Sequence, residues 1–250
     1  MPQTYITTSW DDGHPLDERL ADLLARYNLA ATFYIPRAIS TGVLSDAQIR
    51  NLSLRFEIGA HTLNHVFLTD ADNATAQQEI AGSKNWVQDV TGKPCTMFCP
   101  PAGRYKAHHL PMFASAGFEG LRSVEFLSLD RPRAGKYVFE LPTTLQVFRQ
   151  PISAYVKNSL KRRAFRNLWL LAAHGRSSDW RTLAKRLLNR AVEAGGVFHL
   201  WGHSWEIEAC GLWGELEQVL RLLGEVVAAQ RATCLTNGQL CRHVRDRAPG

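Results

Sequence analysis

The chain has 250 residues and a formal net charge of +6 at neutral pH, with 45% hydrophobic and 21% charged residues. This balance is that of an ordinary globular protein, and it excludes a disordered, collagenous or coiled-coil chain. The longest purely apolar run, from Leu168 to Ala173, is too short to span a bilayer.

The N-terminus and the cysteines both favour a reducing compartment. Residues 1–5 lack the basic start and the apolar stretch of a secretory signal, so we expect a cytoplasmic location. The cysteines are odd in number and contain no C-x-x-C pair, which favours free thiols over disulfide or zinc–thiolate sites. They are Cys95, Cys99, Cys210, Cys234 and Cys241.

Strand-like runs rich in β-branched and aromatic residues alternate with helical patterns of apolar residues along the chain. The predicted strands lie at about 4–10, 31–35, 56–60, 96–99, 118–124, 136–141, 197–201 and 233–235, and the predicted helices at about 17–27, 45–54, 70–91, 108–116, 152–173, 179–194 and 212–229. This alternation predicts an α/β fold with a parallel sheet covered by helices. Seven or eight such units favour a barrel over an open sheet, in a single domain that covers residues 1–250.

The first predicted strand ends in two adjacent carboxylates, Asp11 and Asp12, followed by Gly13. Two neighbouring carboxylates are costly to hold together unless a positive charge lies between them. A turn with a helix cap is the alternative, because Asp and Gly are common turn residues. In barrels of this kind the chemistry lies where strands end, so the position favours a functional site.

The third predicted strand is followed by two histidines, His61 and His65, which are four residues apart. On one face of a helical turn, two such imidazoles can bind one metal ion. With one carboxylate from the first strand they would form a facial triad that leaves coordination positions open. The pattern therefore predicts a catalytic metal, since a structural site would be closed by a fourth ligand.

The strand predicted at 197–201 leads to His203, which lies between Trp201 and Trp205 in the sequence. A histidine at a strand end beside aromatic residues fits a general acid next to an apolar pocket. His199 lies on the same strand, and we expect it to be a histidine of the core. Gly202 indicates that the strand ends there, which would release the side chain of His203 into the cleft.

In chain order these segments resemble the motifs of polysaccharide deacetylases of the NodB-homology group, carbohydrate esterase family four. The family motif T-F-D-D-G is similar to residues 8–13, and H-[ST]-x-x-H is matched fully by residues 61–65. The motifs R-x-P-x-G and L-x-H are similar to residues 99–103 and 201–203. The resemblance spans about residues 4–203 and implies a distorted (β/α) barrel.

The resemblance also implies a role for each of five residues. Asp12, His61 and His65 would hold one divalent metal ion, usually Zn²⁺. Asp11 would be the general base that takes a proton from the attacking water, and His203 would be the general acid that protonates the leaving amine. One of the two adjacent aspartates would then be neutralised by metal while the other stays free to accept a proton.

The chain departs from the family pattern at three places. The leucine of the last motif is Trp201 here. The arginine of the third motif, which orients the base, is Cys99 here, and the D-x-x-D-W motif is not found between residues 103 and 195. Arg122, near the end of the fifth predicted strand, is our first candidate for the missing positive charge, because a guanidinium can hold a carboxylate in a fixed orientation. Arg104 is the second candidate, and a solvated rim arginine is the alternative for Arg122.

The rigid proline-containing loop after the fourth strand suits the wall of a substrate groove, and aromatic residues at other strand ends could shape an acetyl pocket. The residues that we expect to contact substrate are Trp10, Pro101, Gly103, Arg104, Tyr105, Trp201 and Trp205. The resemblance implies removal of an N-acetyl group from an amino sugar. The alternatives are a glycan-binding domain without turnover, a hydrolase of a non-sugar amide, and a two-His, one-carboxylate iron oxygenase.

The positive charge is concentrated in one run, from Lys157 to Arg166. A solvated helix face is the simplest interpretation of such a run. The alternative is contact with an anionic membrane or a lipid-linked glycan. We expect no nucleic-acid partner, because no nucleic-acid-binding motif accompanies the run. The expected substrate partner is an N-acetylated saccharide.

Overall fold

The computed structural model describes residues 3–174 and 179–247 of the chain. The strands are β1 (Thr4–Asp11), β2 (Thr32–Ile35), β3 (Glu57–Ala60), β4 (Met97–Phe98), β5 (Gly120–Arg122), β6 (Arg133–Ala134), β7 (Phe139–Leu141), β8 (Leu145–Gln146), β9 (Gly196–Gly202) and β10 (Thr233–Cys234). The helices are α1 (Asp17–Arg26), α2 (Asp46–Ser53), α3 (Asn73–Thr91), α4 (Leu110–Ser115), α5 (Ile152–Lys161), α6 (Phe165–His174), α7 (Trp180–Ala194), α8 (Ser204–Ala209), α9 (Trp213–Ala228) and α10 (Asn237–Arg245).

The described strands form one curled sheet in the order β6-β7-β5-β4-β3-β2-β1-β9-β8, and β10 pairs with the start of β1. Every pairing is parallel except that between β6 and β7. The predicted α/β distorted barrel is therefore confirmed. The two strands beyond the predicted eight, β6 and β8, have two residues each, which is too short for an alternation pattern to show.

Local sequence signals set several of the helix ends. The side chains of Ser45 and Gln48 form the expected capping box at the start of α2. Asp72 caps α3, whose other end is closed by Gly92 in the left-handed conformation with φ of 67°. Two helices without a prediction, α8 and α10, follow His203 and Thr236.

The helix predicted at 152–173 is two helices, α5 and α6. The break lies at residues 162–164, where Arg163 has φ of 55°. A non-glycine residue in the left-handed region interrupts the helical hydrogen-bond ladder, and no proline or glycine announces this break in the sequence. The prediction of one continuous helix is therefore wrong.

The main apolar core is built from β1, β2, β3 and β9 together with α1, α3, α7 and α9. All eight residues of β1 are buried, which is typical of a central parallel strand that is covered on both faces. This shared core supports our proposal of a single domain over residues 1–250. Within the described residues, no helix is both long and apolar enough to cross a membrane.

Candidate metal and active site

The polar residues of the site follow the carboxyl ends of four parallel strands. Asp11 is the last residue of β1, His61 follows β3, Arg122 ends β5 and His203 follows β9. The carboxyl ends of parallel strands meet at one rim of a barrel, which is where barrel enzymes carry their chemistry.

The side chains of Asp12, His61 and His65 converge on one point. The Oδ1 atom of Asp12 lies 3.4 Å from Nε2 of His61 and 3.2 Å from Nε2 of His65. That oxygen is buried and has no hydrogen-bond partner among the described residues, whereas Oδ2 accepts a 2.8 Å hydrogen bond from the indole of Trp205. A buried carboxylate oxygen facing two imidazole nitrogens is a donor set that fits Zn²⁺. Three ligands leave a position open for a reactant.

Hydrogen bonds behind the ligands fix their orientation. The Nδ1 atom of His61 lies 2.7 Å from the carbonyl oxygen of Cys99. Because a carbonyl can only accept, Nδ1 carries the proton and Nε2 presents its lone pair to the site. The buried carboxylate of Glu79 accepts hydrogen bonds from both the backbone and the side-chain nitrogen of Asn64, at 2.8 and 2.7 Å. Glu79 therefore anchors the loop that carries His65.

The contact expected between Arg122 and Asp11 is present. The Nη2 atom of Arg122 donates to both carboxylate oxygens of Asp11, and both side chains are buried. One nitrogen makes both contacts. The Cζ atom of Arg122 lies 4.6 Å from the ring centre of Trp201 and 5.5 Å from that of Tyr34. These two rings leave the guanidinium little freedom to move.

The same surroundings set the charge of Asp11. Burial would raise the pKa of its carboxyl, but the positive charge of Arg122 and the hydrogen bond from it outweigh burial, so the pKa is lowered. Asp11 is therefore ionised at neutral pH. The thiol of Cys99 lies 3.9 Å from Oδ2 of Asp11, and burial raises its pKa well above the ordinary value.

Asp11, His61 and Cys99 form a second group of potential ligand atoms. Two observations argue against a metal ion there. Both oxygens of Asp11 already face the cation Arg122, and a thiol with a raised pKa stays protonated and is a poor ligand. The group of Asp12, His61 and His65 contains no thiol, and its carboxylate does not contact Arg122.

His203 is held by an acidic partner that the sequence analysis missed. Its Nδ1 lies 3.2 Å from Oε2 of Glu206, which also accepts a 2.8 Å hydrogen bond from Gln146 on β8. Burial would lower the pKa of His203, but the hydrogen bond to Glu206 and the nearby aspartates raise it. The spacing of three residues, from the cap of α8 to its first turn, is the sequence signal that could have indicated Glu206. The short strand β8 gave no comparable signal for Gln146.

His199 is a buried core histidine, as expected. Its Nδ1 lies 3.2 Å from the carbonyl of Pro142 and its Nε2 lies 2.9 Å from the hydroxyl of Ser9. Burial and the charge of Arg122 lower its pKa to about 3, so the ring is neutral at physiological pH. A neutral ring with both nitrogens engaged has no proton to give to a substrate.

The residues expected to contact substrate divide into two groups. Gly103, Arg104 and Tyr105 line a cavity of about 1020 Å³ beside the site, between the loops after β4 and β5, the β6–β7 hairpin and the end of α5. Arg104 is exposed and lies 3.7 Å from Asp70. It is therefore a rim residue and does not replace the motif arginine.

The other expected contacts are buried or already engaged. Trp10 is fully buried and Pro101 is buried, so neither side chain lies on an open surface, and their contact with substrate stays a prediction. Trp201 is also buried, where it packs edge-to-face on His203 with ring centres 5.6 Å apart. Trp205 is half-buried, and its indole nitrogen is committed to Asp12. These two tryptophans act on the site through neighbouring side chains.

Unusual backbone conformations are concentrated in the loops of the site. Of the eight described non-glycine residues with positive φ, four belong to these loops: Asp12, Thr62, His65 and Ala102. Such conformations cost free energy and persist only where the surroundings enforce them. The surrounding structure therefore holds these loops in conformations that fix the direction of their side chains.

Residues 1–121, just under half of the chain, match the sequence model of a family described as polysaccharide deacetylase. A comparison with curated protein sequences gives no match. Among solved structures, a provisionally assigned polysaccharide deacetylase from Mycobacterium smegmatis is 18% identical, with a TM-score of 0.71 over 99% of this chain and 92% of that one.

Two further solved structures share the fold. The peptidoglycan deacetylase PdaC from Bacillus subtilis is 15% identical, with a TM-score of 0.57 over 98% of this chain and 94% of that one. A family 4 carbohydrate esterase from Streptomyces lividans, solved in complex with acetate, is 13% identical, with a TM-score of 0.57 over 93% of this chain and 92% of that one. At these identities the likeness establishes the shared fold.

Proposed function

We propose that this chain, whose residues 1–121 match the sequence model of the polysaccharide deacetylase family, is a metal-dependent amide hydrolase that removes an N-acetyl group from an amino sugar. The observation that carries this proposal is the convergence of Asp12, His61 and His65, where a buried carboxylate oxygen without a hydrogen-bond partner faces two imidazole nitrogens. A divalent ion, which we expect to be Zn²⁺, would polarise the acetamide carbonyl and activate water when bound there.

Asp11 is the proposed general base. Its carboxylate is ionised and adjoins the metal ligand Asp12, so it can accept the proton of the water that attacks the acetyl carbon. Arg122 keeps both oxygens of that carboxylate in one orientation. The same cation makes Asp11 a weaker base than a free aspartate, which suits a water whose own acidity is increased.

His203 is the proposed general acid. As the C–N bond breaks, the amine nitrogen of the sugar needs a proton, and the raised pKa of His203 favours the protonated ring that can supply it. Because Nδ1 is held by Glu206, Nε2 is the nitrogen free to donate. Glu206 thus orients His203 and favours its charged form, as Arg122 orients Asp11 and favours its charged form.

The proposal is tested by acetate release from N-acetylglucosamine oligomers, with and without a chelator. We expect release that stops with the chelator and returns with added Zn²⁺. Oligomer binding without acetate release would favour the glycan-binding alternative, whereas release only from non-sugar acetamides would favour the alternative of a different amide substrate. The barrel fold argues against an iron oxygenase, and oxygen-dependent turnover would be needed to restore that interpretation.

A further inference from the structure

The helices α5 and α6, with the three residues that join them, form a segment with an unusual charge. Residues 152–174, which we call the basic hairpin, contain five cations and no Asp or Glu. The cations are Lys157, Lys161, Arg162, Arg163 and Arg166. Five of the six net positive charges of the whole chain therefore lie in this one segment.

Within the described part of the chain, little neutralises these cations. The one ion pair that the segment makes within 4 Å joins Arg166 to Asp130, at 2.9 Å. On α5, Tyr155 and Ser159 are buried, whereas Lys157 and Lys161 are exposed on the opposite side of the helix. The positive charge is thus presented to the surroundings.

The same segment exposes large apolar side chains. Ile152, Leu160, Phe165 and Trp169 are 47%, 52%, 64% and 59% exposed, and they are four of the six exposed large hydrophobic residues among those described. Phe165 and Trp169 are one turn apart on α6, opposite the buried residues of that helix. Exposed aromatic groups on the outer face of a helix usually mark an interaction surface.

We propose that the basic hairpin is a docking surface for an anionic lipid bilayer. A surface helix that combines exposed aromatic and aliphatic groups with lysine and arginine is suited to the boundary between headgroups and acyl chains. The cations match the negative charge of the bilayer, and long basic side chains can reach the headgroups while apolar groups enter the membrane. A nucleic acid would account for the cations and for Trp169, but it would give Ile152 and Leu160 no partner.

The docking surface is independent of the proposed hydrolysis, although it lies beside it. Lys161 and Arg162, at the end of α5, also line the cavity that contains Gly103 and Tyr105. A protein docked through this segment would hold that cavity near the membrane surface. Acetate release from a water-soluble oligomer does not require docking, so the two proposals can fail separately.

The experiment uses the full chain and vesicles of phosphatidylcholine, with or without phosphatidylglycerol. We expect the protein to sediment with the anionic vesicles and to be released from them by salt. It should not sediment with vesicles of pure phosphatidylcholine. Replacing two cations (Lys157→Gln with Arg163→Gln) should weaken binding at least about tenfold, because each cation near an anionic surface adds to the attraction. Replacing both aromatic residues (Phe165→Ser with Trp169→Ser) should weaken binding by at least about as much, because it removes the apolar area that the membrane would bury.

Matched controls separate this surface from general effects of hydrophobicity and charge. Leu54→Ser with Tyr137→Ser removes the two other exposed hydrophobic residues, and Lys185→Gln with Arg231→Gln removes two exposed cations elsewhere. Both controls should bind vesicles like the wild type, and all variants should keep the wild-type circular dichroism and acetate release. The proposal is overturned if the wild type does not sediment, if the control pairs weaken binding as much as the hairpin pairs, or if a single-stranded oligonucleotide binds more tightly than the vesicles.

Discussion

One guanidinium nitrogen of Arg122 contacts both carboxylate oxygens of Asp11, and both side chains are buried. The two residues lie on different strands and are 111 positions apart in the sequence. The position that carries arginine in the family motif is Cys99, whose thiol lies 3.9 Å from the same carboxylate. The positive charge beside Asp11 in this structure therefore comes from the next strand of the sheet, β5.

Replacing the guanidinium should impair the base without removing the metal. We predict that Arg122→Lys lowers kcat for acetate release by at least about tenfold, because an ammonium lacks the planar group that packs between Trp201 and Tyr34. Since the charge of Arg122 lowers the pKa of Asp11, the neutral replacement Arg122→Leu should shift the acidic limb of the pH–rate profile to higher pH. Arg104→Lys is the matched control on the rim. A wild-type rate for Arg122→Lys would show that another group orients Asp11.

An arginine at position 99 should replace Arg122 in part. Cys99→Arg alone should destabilise the protein, because it buries a second cation beside Arg122. Arg122→Leu alone should lose most activity, since it leaves the carboxylate of Asp11 buried and unpaired. Combining both changes should recover activity relative to Arg122→Leu. A double variant that is less active than either single variant would refute this exchange, and thermal unfolding should be measured alongside turnover.

The partner of His203 can be tested through pH dependence. Glu206 raises the pKa of His203, so the histidine stays protonated to higher pH when Glu206 is present. We predict that Glu206→Gln moves the alkaline limb of the pH–rate profile to lower pH and lowers the maximal rate. Glu208→Gln, at an exposed position on the same helix, should leave the profile unchanged. An alkaline limb that stays in place in Glu206→Gln would show that His203 does not set it.

The anchor of the histidine loop should matter for metal affinity. Glu79 holds both nitrogens of Asn64, and losing such outer hydrogen bonds typically weakens metal binding by about 10–100-fold. We predict a loss of this size in Glu79→Ala, measured by titration of the apoprotein with Zn²⁺. Gln78→Ala, at the exposed neighbouring position on α3, is the control. Equal Zn²⁺ affinities in the two variants would show that Glu79 does not support the metal site.

The sequence was sufficient to find site residues that combine a reactive side chain with a position at the end of a predicted strand. The pairs Asp11–Asp12 and His61–His65 could be found because each follows a predicted strand, and the relation of Arg122 to Asp11 followed from strand order. The contacts of Gln146 and Glu79 were not predictable, because they depend on side chains meeting across short or distant elements. Burial was also not anticipated. Trp10 was expected to contact substrate, but its ring is packed in the apolar core.

The central claim is that Asp12, His61 and His65 hold the metal while Asp11 serves as base, and one paired measurement tests it directly. Bound metal and acetate release are determined on the same preparations of wild type, His65→Ala and Asp11→Asn. The account predicts stoichiometric metal and turnover in the wild type, and loss of both in His65→Ala. It predicts retained metal in Asp11→Asn, with a rate lower by about 10²–10⁴-fold. Full metal content in His65→Ala, or undiminished turnover in Asp11→Asn, would contradict it.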